Sequence, residues 1–182
     1  SPYTPDFSDD TRAEAGNTHK IKYLRLKVRN KGKKPAMNCE AKLEITKITI
    51  NEIESDITST KVALHWSRHD PILYSRHGDI KTALLNNAEK VFAPINLNIN
   101  DEETVDVLRL PYSFSTLPDT NQSLNPYPFI ERASLRQLRL QPNWSYQCKV
   151  TVYASNTDPK SFKFKVNWDG KVEGFNKAFT KD

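Results

Sequence analysis

Glycine is scarce in this 182-residue chain, which holds five glycines against eleven prolines. Loops that cradle phosphate groups generally need glycine, because only glycine adopts positive φ freely and lets the backbone approach a ligand closely. The Walker and dinucleotide phosphate-loop patterns are missing, and so is the G-x-S-x-G turn that presents a serine nucleophile. No sequence motif therefore supports nucleotide-dependent or serine-hydrolase chemistry.

Long apolar runs and methionine are also lacking. No segment approaches the roughly 20 consecutive apolar residues that a membrane-spanning helix needs. The only methionine is Met37, so we expect a trimmed or removed segment, such as a signal peptide or an anchoring helix, ahead of Ser1. The prolines and acids near the start predict a flexible arm over 1–20, followed by a domain over 21–170 and a tail over 171–182. We expect an extracellular or periplasmic protein, tethered to the membrane through a segment outside this sequence.

Charge of one sign is not concentrated in long runs. The formal net charge of +5 permits weak attraction to nucleic acid, acidic polysaccharide or anionic lipid, but basic residues alternate with acids along most of the chain. The tightest basic cluster is Lys31, Lys33 and Lys34, and a solvated turn is its simpler interpretation. Nucleic-acid binding through this turn stays open as a third hypothesis, although no nucleic-acid partner is expected.

What the chain does contain is alternation of apolar and polar residues. In Tyr23–Ile45, two runs with this period flank a basic turn at residues 30–35, where Gly32 is free to take positive φ. Period-two alternation with outward charges predicts half-buried antiparallel strands, either a hairpin or two successive strands of a sandwich. The inward positions are Leu24, Leu26, Val28, Met37, Cys39, Ala41, Leu43 and Ile45. Ile48 and Ile50 fall out of step with Ile45, which predicts a β-bulge.

Similar short runs recur at 62–66, 91–99, 105–108, 146–152 and 162–168. Helical periodicity is weak, apart from one short candidate over 79–90, and residues 111–130 form a long segment rich in Pro, Ser, Thr and Asn. Loops of that length are uncommon unless they are functional or mobile. Many short strands separated by turn residues predict an all-β, two-sheet antiparallel sandwich with a long loop insertion and little helix.

The run YLRLKVRNKGKKPAMNCEAKLEI resembles the strand–N-x-G-x-x-x-A–strand pattern of CARDB-like modules, with its turn at Asn30 and Gly32. These are immunoglobulin-type domains of prokaryotic surface proteins. The run LRLQPNWSYQCKVTVYASN is similar to their L-x-P-G-x-Y-x-L-x-V-x-V strand, with Asn143 in place of the glycine. Tyr146, two residues before Cys148, also resembles the tyrosine corner of immunoglobulin folds. The resemblance implies an immunoglobulin-like sandwich with an adhesive, spacer or partner-binding role, and it implies no catalytic residue.

The two cysteines, Cys39 and Cys148, both occupy inward positions on predicted strands. In an oxidising compartment they would join the two sheets by a disulfide worth about 2–4 kcal/mol. The alternative is a pair of separate buried thiols that act as small hydrophobic side chains. The sequence leaves both open.

The segment LHWSRHDPILYSRHGD gathers His65, His69, Asp70 and His77. On a helix, His65 and His69 would share a face, as metal ligands do. The alternation around Trp66 predicts a strand instead, which turns His65 to the opposite face. The alternative function is therefore a metal-dependent enzyme or metal-binding protein using this segment, and the simpler interpretation is a set of surface histidines.

The function predicted from these observations is a non-catalytic module that binds a protein or glycan partner, with no cofactor and no bound metal. Loops at one end of a rigid sandwich carry recognition in such domains. We expect the contact loops to be 68–79 and 111–130. The candidate binding residues are His69, Asp70, His77, Tyr127 and Phe129.

Overall fold

The computed structural model describes residues 3–14, 17–57, 61–67, 94–113 and 140–182. Most of them lie in strands, and the one helical element is a short 3-10 turn at Val172–Lys177. The strands are β1 (Tyr3–Glu14), β2 (Asn17–Arg29), β3 (Ala36–Ile50), β4 (Ile53–Asp56), β5 (Val62–Ala63), β6 (His65–Trp66), β7 (Ile95–Leu97), β8 (Glu102–Ser113), β9 (Ser145–Ala154), β10 (Thr157–Asn167) and β11 (Phe179–Lys181). No helix in this part of the chain has the length and hydrophobicity to cross a membrane.

The strands form two antiparallel sheets with immunoglobulin connectivity. The first sheet has the order β1-β2-β8-β6, and the second has the order β11-β10-β9-β3-β4, with β5 and β7 also paired to β3. The first order matches the A-B-E-D sheet of immunoglobulin domains, and β10-β9-β3-β4 matches the G-F-C-C′ sheet, with β11 added beside β10. The predicted all-β, antiparallel immunoglobulin-like sandwich with little helix is confirmed.

The core lies between the two sheets and follows the predicted alternation. Leu24, Leu26 and Val28 of β2 are buried, and so are the predicted inward residues of β9 and β10. Two cross-sheet hydrogen bonds supplement the apolar contacts. The Tyr3 hydroxyl donates to the backbone oxygen of Lys160 at 2.5 Å. The indole Nε1 of Trp66 donates to the backbone oxygen of Cys39 at 3.2 Å.

Both ends of the described chain are more ordered than the sequence suggests. Residues 3–14, predicted as part of a flexible arm, form β1 and pair with β2 over twelve positions. Pro5 is tolerated because β1 borders its sheet, where a missing backbone donor costs little. Residues 171–182, predicted as a tail, contain the 3-10 turn and β11, which pairs with β10.

The turn after β2 also differs from its prediction in detail. Gly32 does not have positive φ, and its amide donates to the side-chain oxygen of Asn30 at 2.9 Å. An asparagine side chain therefore shapes this turn, rather than glycine freedom. β2 and β3 belong to different sheets, so they are successive sandwich strands and not a hairpin. The predicted bulge is confirmed by a register shift between Ile45 and Lys47.

Cys39 and Cys148 do not form the cross-sheet disulfide that was one of the two possibilities. Both cysteines are buried and free, and they lie on the neighbouring strands β3 and β9 of one sheet. Cys148 stands opposite Ile45, six residues along β3 from Cys39. At about 3.3 Å per residue this separation is about 20 Å, whereas a disulfide needs Cα atoms within about 7 Å. The alternative of two separate thiols is the one observed.

Candidate functional site

The predicted contact residues lie outside the described part of the chain. This holds for the whole of loop 68–79 and for residues 114–130 of the second loop, whereas 111–113 complete β8. Their role in binding stays a prediction. The residues concerned are His69, Asp70, His77, Tyr127 and Phe129.

His65, the fourth member of the proposed metal segment, belongs to a buried polar network. Its Nδ1 lies 3.1 Å from Oδ2 of Asp106 on the neighbouring strand β8. Oδ1 of Asp106 accepts hydrogen bonds from the Ser67 hydroxyl and from Nε of Arg25, each at 2.6 Å. His65 is 7% exposed, so the expectation of a surface histidine is wrong for this residue.

The hydrogen bonds of this network differ from those of a hydrolytic triad. Ser67 donates to the carboxylate of Asp106 and not to the imidazole of His65, whereas a hydrolytic triad needs the serine on the imidazole. Burial by itself raises the pKa of Asp106, but the hydrogen bonds from His65, Ser67 and Arg25 outweigh it and hold that pKa below its usual range. Within the described residues, no three His, Cys, Asp or Glu side chains are grouped to hold a metal ion.

A cleft of about 490 Å³ opens at one end of the sandwich. It lies where the β2–β3 loop, the β7–β8 turn and the β9–β10 turn come together, and we call this region the cleft end. Its floor is apolar and buried, and its rim is charged and exposed. The floor consists of Val28, Cys39, Leu97 and Val152, and the rim includes Arg29, Lys31, Asp158 and Lys160. In immunoglobulin variable domains, the corresponding end carries the loops that bind antigen.

Asparagine side chains fasten the three loops of the cleft end to one another. Nδ2 of Asn30 donates to the backbone oxygen of Leu97 at 2.9 Å. The side chain of Asn156 joins the β9–β10 turn to the end of the β2–β3 loop. Its Nδ2 donates to the oxygen of Pro35 and its Oδ1 accepts from the amide of Met37, each at 2.9 Å. Loops held in this way lose little further conformational entropy when a ligand binds.

Exposed apolar side chains are concentrated at the same end. Three large hydrophobic residues of the described chain are exposed: Met37, Ile53 and Ile99. Met37 adjoins Asn156 at the β9–β10 turn, and Ile99 lies in the β7–β8 turn next to Asn100, whose amide donates to the oxygen of Asn30. Ile53 is the first residue of β4 and pairs with Ile50 at the other end of β3, away from the cleft. Met37, predicted to face inward, is 39% exposed, so that part of the alternation is wrong.

Some basic side chains of the described chain form ion pairs and others do not. On the second sheet, lysines pair with carboxylates at Lys149–Glu44 (2.7 Å), Lys47–Glu54 (2.5 Å) and Lys42–Glu40 (3.2 Å). None of the ion pairs within the described ranges includes the four basic residues Arg29, Lys33, Lys34 and Lys160. These four residues and Lys31 outnumber the exposed carboxylates at this end, Asp101, Glu102 and Asp158, so the cleft end carries an excess of positive charge.

The lysine-rich turn is the one part of the cleft end that the sequence analysis singled out, and its simpler interpretation there was a solvated turn. The remaining signal was the set of asparagines beside the predicted turns, which became informative only with their partners in view. No protein-family model matches the chain, and no curated protein matches it in sequence. The CARDB-like resemblance therefore stays a prediction.

Proposed function

We propose that this protein is a non-catalytic immunoglobulin-like module that binds a protein partner through the cleft end. The observation that carries the proposal is the cleft of about 490 Å³ between three loops that asparagine side chains hold in place. Pockets of roughly 300–1,000 Å³ with apolar walls and a few polar groups are typical binding sites. The module functions at a cell surface or in the periplasm, tethered to the membrane, as the CARDB-like resemblance implies.

A protein partner fits the cleft end better than a glycan does. Neutral sugar hydroxyls are commonly bound by side-chain amides, but the amides of Asn30 and Asn156 are already bonded to the backbone. Met37 and Ile99 offer apolar contact area beside the cleft. An apolar centre with a polar rim is the usual composition of protein–protein interfaces, and methionine is enriched in them.

Binding also suits the described polar residues better than the metal-dependent alternative does. His65, the described histidine of that alternative, already bonds Asp106, which in turn accepts from Ser67 and Arg25. A network of this kind fixes strands to one another. No observation in the described ranges favours a reaction over binding, so binding is the function that we carry forward.

Site-specific photo-crosslinking tests this proposal. A photoreactive benzoylphenylalanine replaces Met37 or Ile99 at the cleft end, and Ile53 at the far end of β3 serves as the matched exposed control. Each variant is irradiated with an extract of the source cells. We expect one adduct from the cleft-end positions, which an excess of unlabelled protein suppresses and which the purified partner reproduces. Equal labelling at Ile53, or no adduct from either cleft-end position, would contradict the proposal.

A further inference from the structure

Four basic side chains at the cleft end form no ion pair with another described residue. Arg29, Lys33, Lys34 and Lys160 are all exposed, and Asp158 is the one carboxylate on the cleft rim. These four cations outnumber the exposed carboxylates of the cleft end, which are Asp101, Glu102 and Asp158. Excess positive charge around a cleft attracts anions and speeds their association.

The floor of the same cleft requires apolar contact. Val28, Leu97 and Val152 form it, and the exposed Met37 and Ile99 extend apolar surface beyond the rim. A highly charged ligand without an apolar group would leave this surface in contact with water. A purely apolar ligand would leave the cations of the rim unused. The cleft end therefore combines two requirements that one ligand has to meet.

We propose that the cleft end recognises an acidic segment of a protein that carries an apolar anchor residue. The anchor occupies the cleft above Leu97, while flanking carboxylates lie near Lys33, Lys34 and Lys160. This inference rests on the proposed function and specifies the chemistry of its partner. An extended segment fits better than a small anion, because the cleft is lined both by the β2–β3 loop, which carries Lys33 and Lys34, and by the start of β10, which carries Lys160.

Three synthetic peptides test the proposal directly. Ac-EELFEE-NH2 carries both acid and anchor, Ac-QQLFQQ-NH2 removes the charge, and Ac-EEGSEE-NH2 removes the anchor. Each is titrated into ¹⁵N-labelled protein at about 50 mM and about 300 mM sodium chloride. We expect the first peptide to shift amide signals of residues 30–38, 97–101 and 155–160, with an affinity about ten-fold or more above either control and weaker at the higher salt.

Matched charge variants locate the interaction. The double variant Lys33→Glu, Lys34→Glu should lower the affinity for the first peptide about ten-fold or more. The double variant Lys163→Glu, Lys181→Glu makes the same change in net charge on exposed lysines away from the cleft, and should leave the affinity nearly unchanged. Equal losses in the two variants would mean that net charge alone attracts the peptide, which would overturn the proposal.

The remaining outcomes separate this inference from the proposed function. Equal binding of the glutamine peptide would overturn the requirement for acid, and signal shifts outside the three loops would overturn the site. Crosslinking at Met37 without binding of any acidic peptide would retain the binding module and reject the acidic segment. Binding of the first peptide without any cellular adduct would support the chemistry of the cleft and count against the proposed function.

Discussion

The hydroxyl of Tyr146 accepts a hydrogen bond from the backbone amide of Gln141 at 2.6 Å, five residues earlier in the chain. This contact fastens the turn that enters β9 to the strand itself. It is the tyrosine corner of immunoglobulin folds, which the spacing of Tyr146 and Cys148 suggested. Between the bonded residues, Asn143 has a φ of 63°, a left-handed conformation that asparagine adopts more readily than most residues do.

Replacing Tyr146 by phenylalanine should lower the free energy of unfolding by about 1–3 kcal/mol, because it leaves the amide of Gln141 without its acceptor. Tyr153→Phe is the matched control. Its hydroxyl accepts from the exposed Lys61, so its loss should cost much less. Urea unfolding near pH 7 measures both. Equal effects of the two substitutions would show that the corner bond does not stabilise the fold.

Asp106 should make the protein less stable in acid. Because its pKa in the folded protein lies below that of an unfolded aspartate, about 3.9, its contribution is fully present above about pH 4 and is lost as the pH falls through the lower folded value. Asp106→Asn should therefore reduce stability by about 2–4 kcal/mol near pH 7 and flatten its decline below about pH 4. Urea unfolding across this pH range tests both effects.

The control for this pH effect is an exposed carboxylate. The pKa of Glu54 is also lowered, by its hydrogen bond and charge attraction to Lys47, but the pair is open to solvent. Glu54→Gln should therefore leave the acid limb of the stability curve almost unchanged. If Asp106→Asn retains the acid sensitivity of the original protein, the buried network is not its source.

The β3–β4 turn offers a stabilising substitution. Its two central residues, Asn51 and Glu52, have φ of 49° and 68°, which is the type I′ pattern of two-residue hairpins. Asparagine suits this conformation, whereas glutamate does not. Glu52→Gly should raise the free energy of unfolding by about 0.5–1 kcal/mol. Lys33→Gly, at an exposed turn position without positive φ, should instead lower it.

The two cysteines should behave as free but protected thiols. Burial raises the pKa of Cys148 to about 12 and also raises the pKa of Cys39, so little of either is thiolate near neutral pH. Without reducing agent, the native protein should react slowly with dithiobis(nitrobenzoate) near pH 8. In guanidinium chloride both thiols should react rapidly. Fewer than two reactive thiols in denaturant would indicate a bond that the strand register forbids.

Much of the sandwich could be predicted from alternation, because the buried face of a half-buried strand is visible in the spacing of apolar residues along that strand. Cys148, Val150 and their neighbours on β9 are buried as their spacing predicts. The sheet that a strand joins is not recorded in this way. Between β5 and β6 the chain leaves one sheet for the other at Leu64, without a break in the apolar pattern. β1 was not predicted, because the prolines and acids around Tyr3 and Phe7 are typical of a linker, although these two side chains pack against the core.

The cleft end was beyond prediction for a related reason. Asn30 bonds the oxygen of Leu97, 67 positions away, and Asn156 bonds that of Pro35, 121 positions away. Any exposed turn favours asparagine, so composition does not distinguish a residue that joins two loops from one that only shapes its own turn. The partners become known only when the strands are placed.

β1 and β11 are held in their sheets by unequal numbers of residue pairs, so the two strands should resist mechanical load unequally. Three residue pairs hold β11 on β10, whereas twelve hold β1 on β2. A pulling force transmitted through these two strands therefore detaches β11 first. Phe179 of β11 contacts Phe7 and Phe164, so its departure uncovers aromatic surface while the cleft end stays assembled. The aromatic surface uncovered in this way lies away from the cleft end, because β11 pairs with Phe164–Val166 whereas the cleft is lined by Thr157, Asp158 and Lys160 of β10.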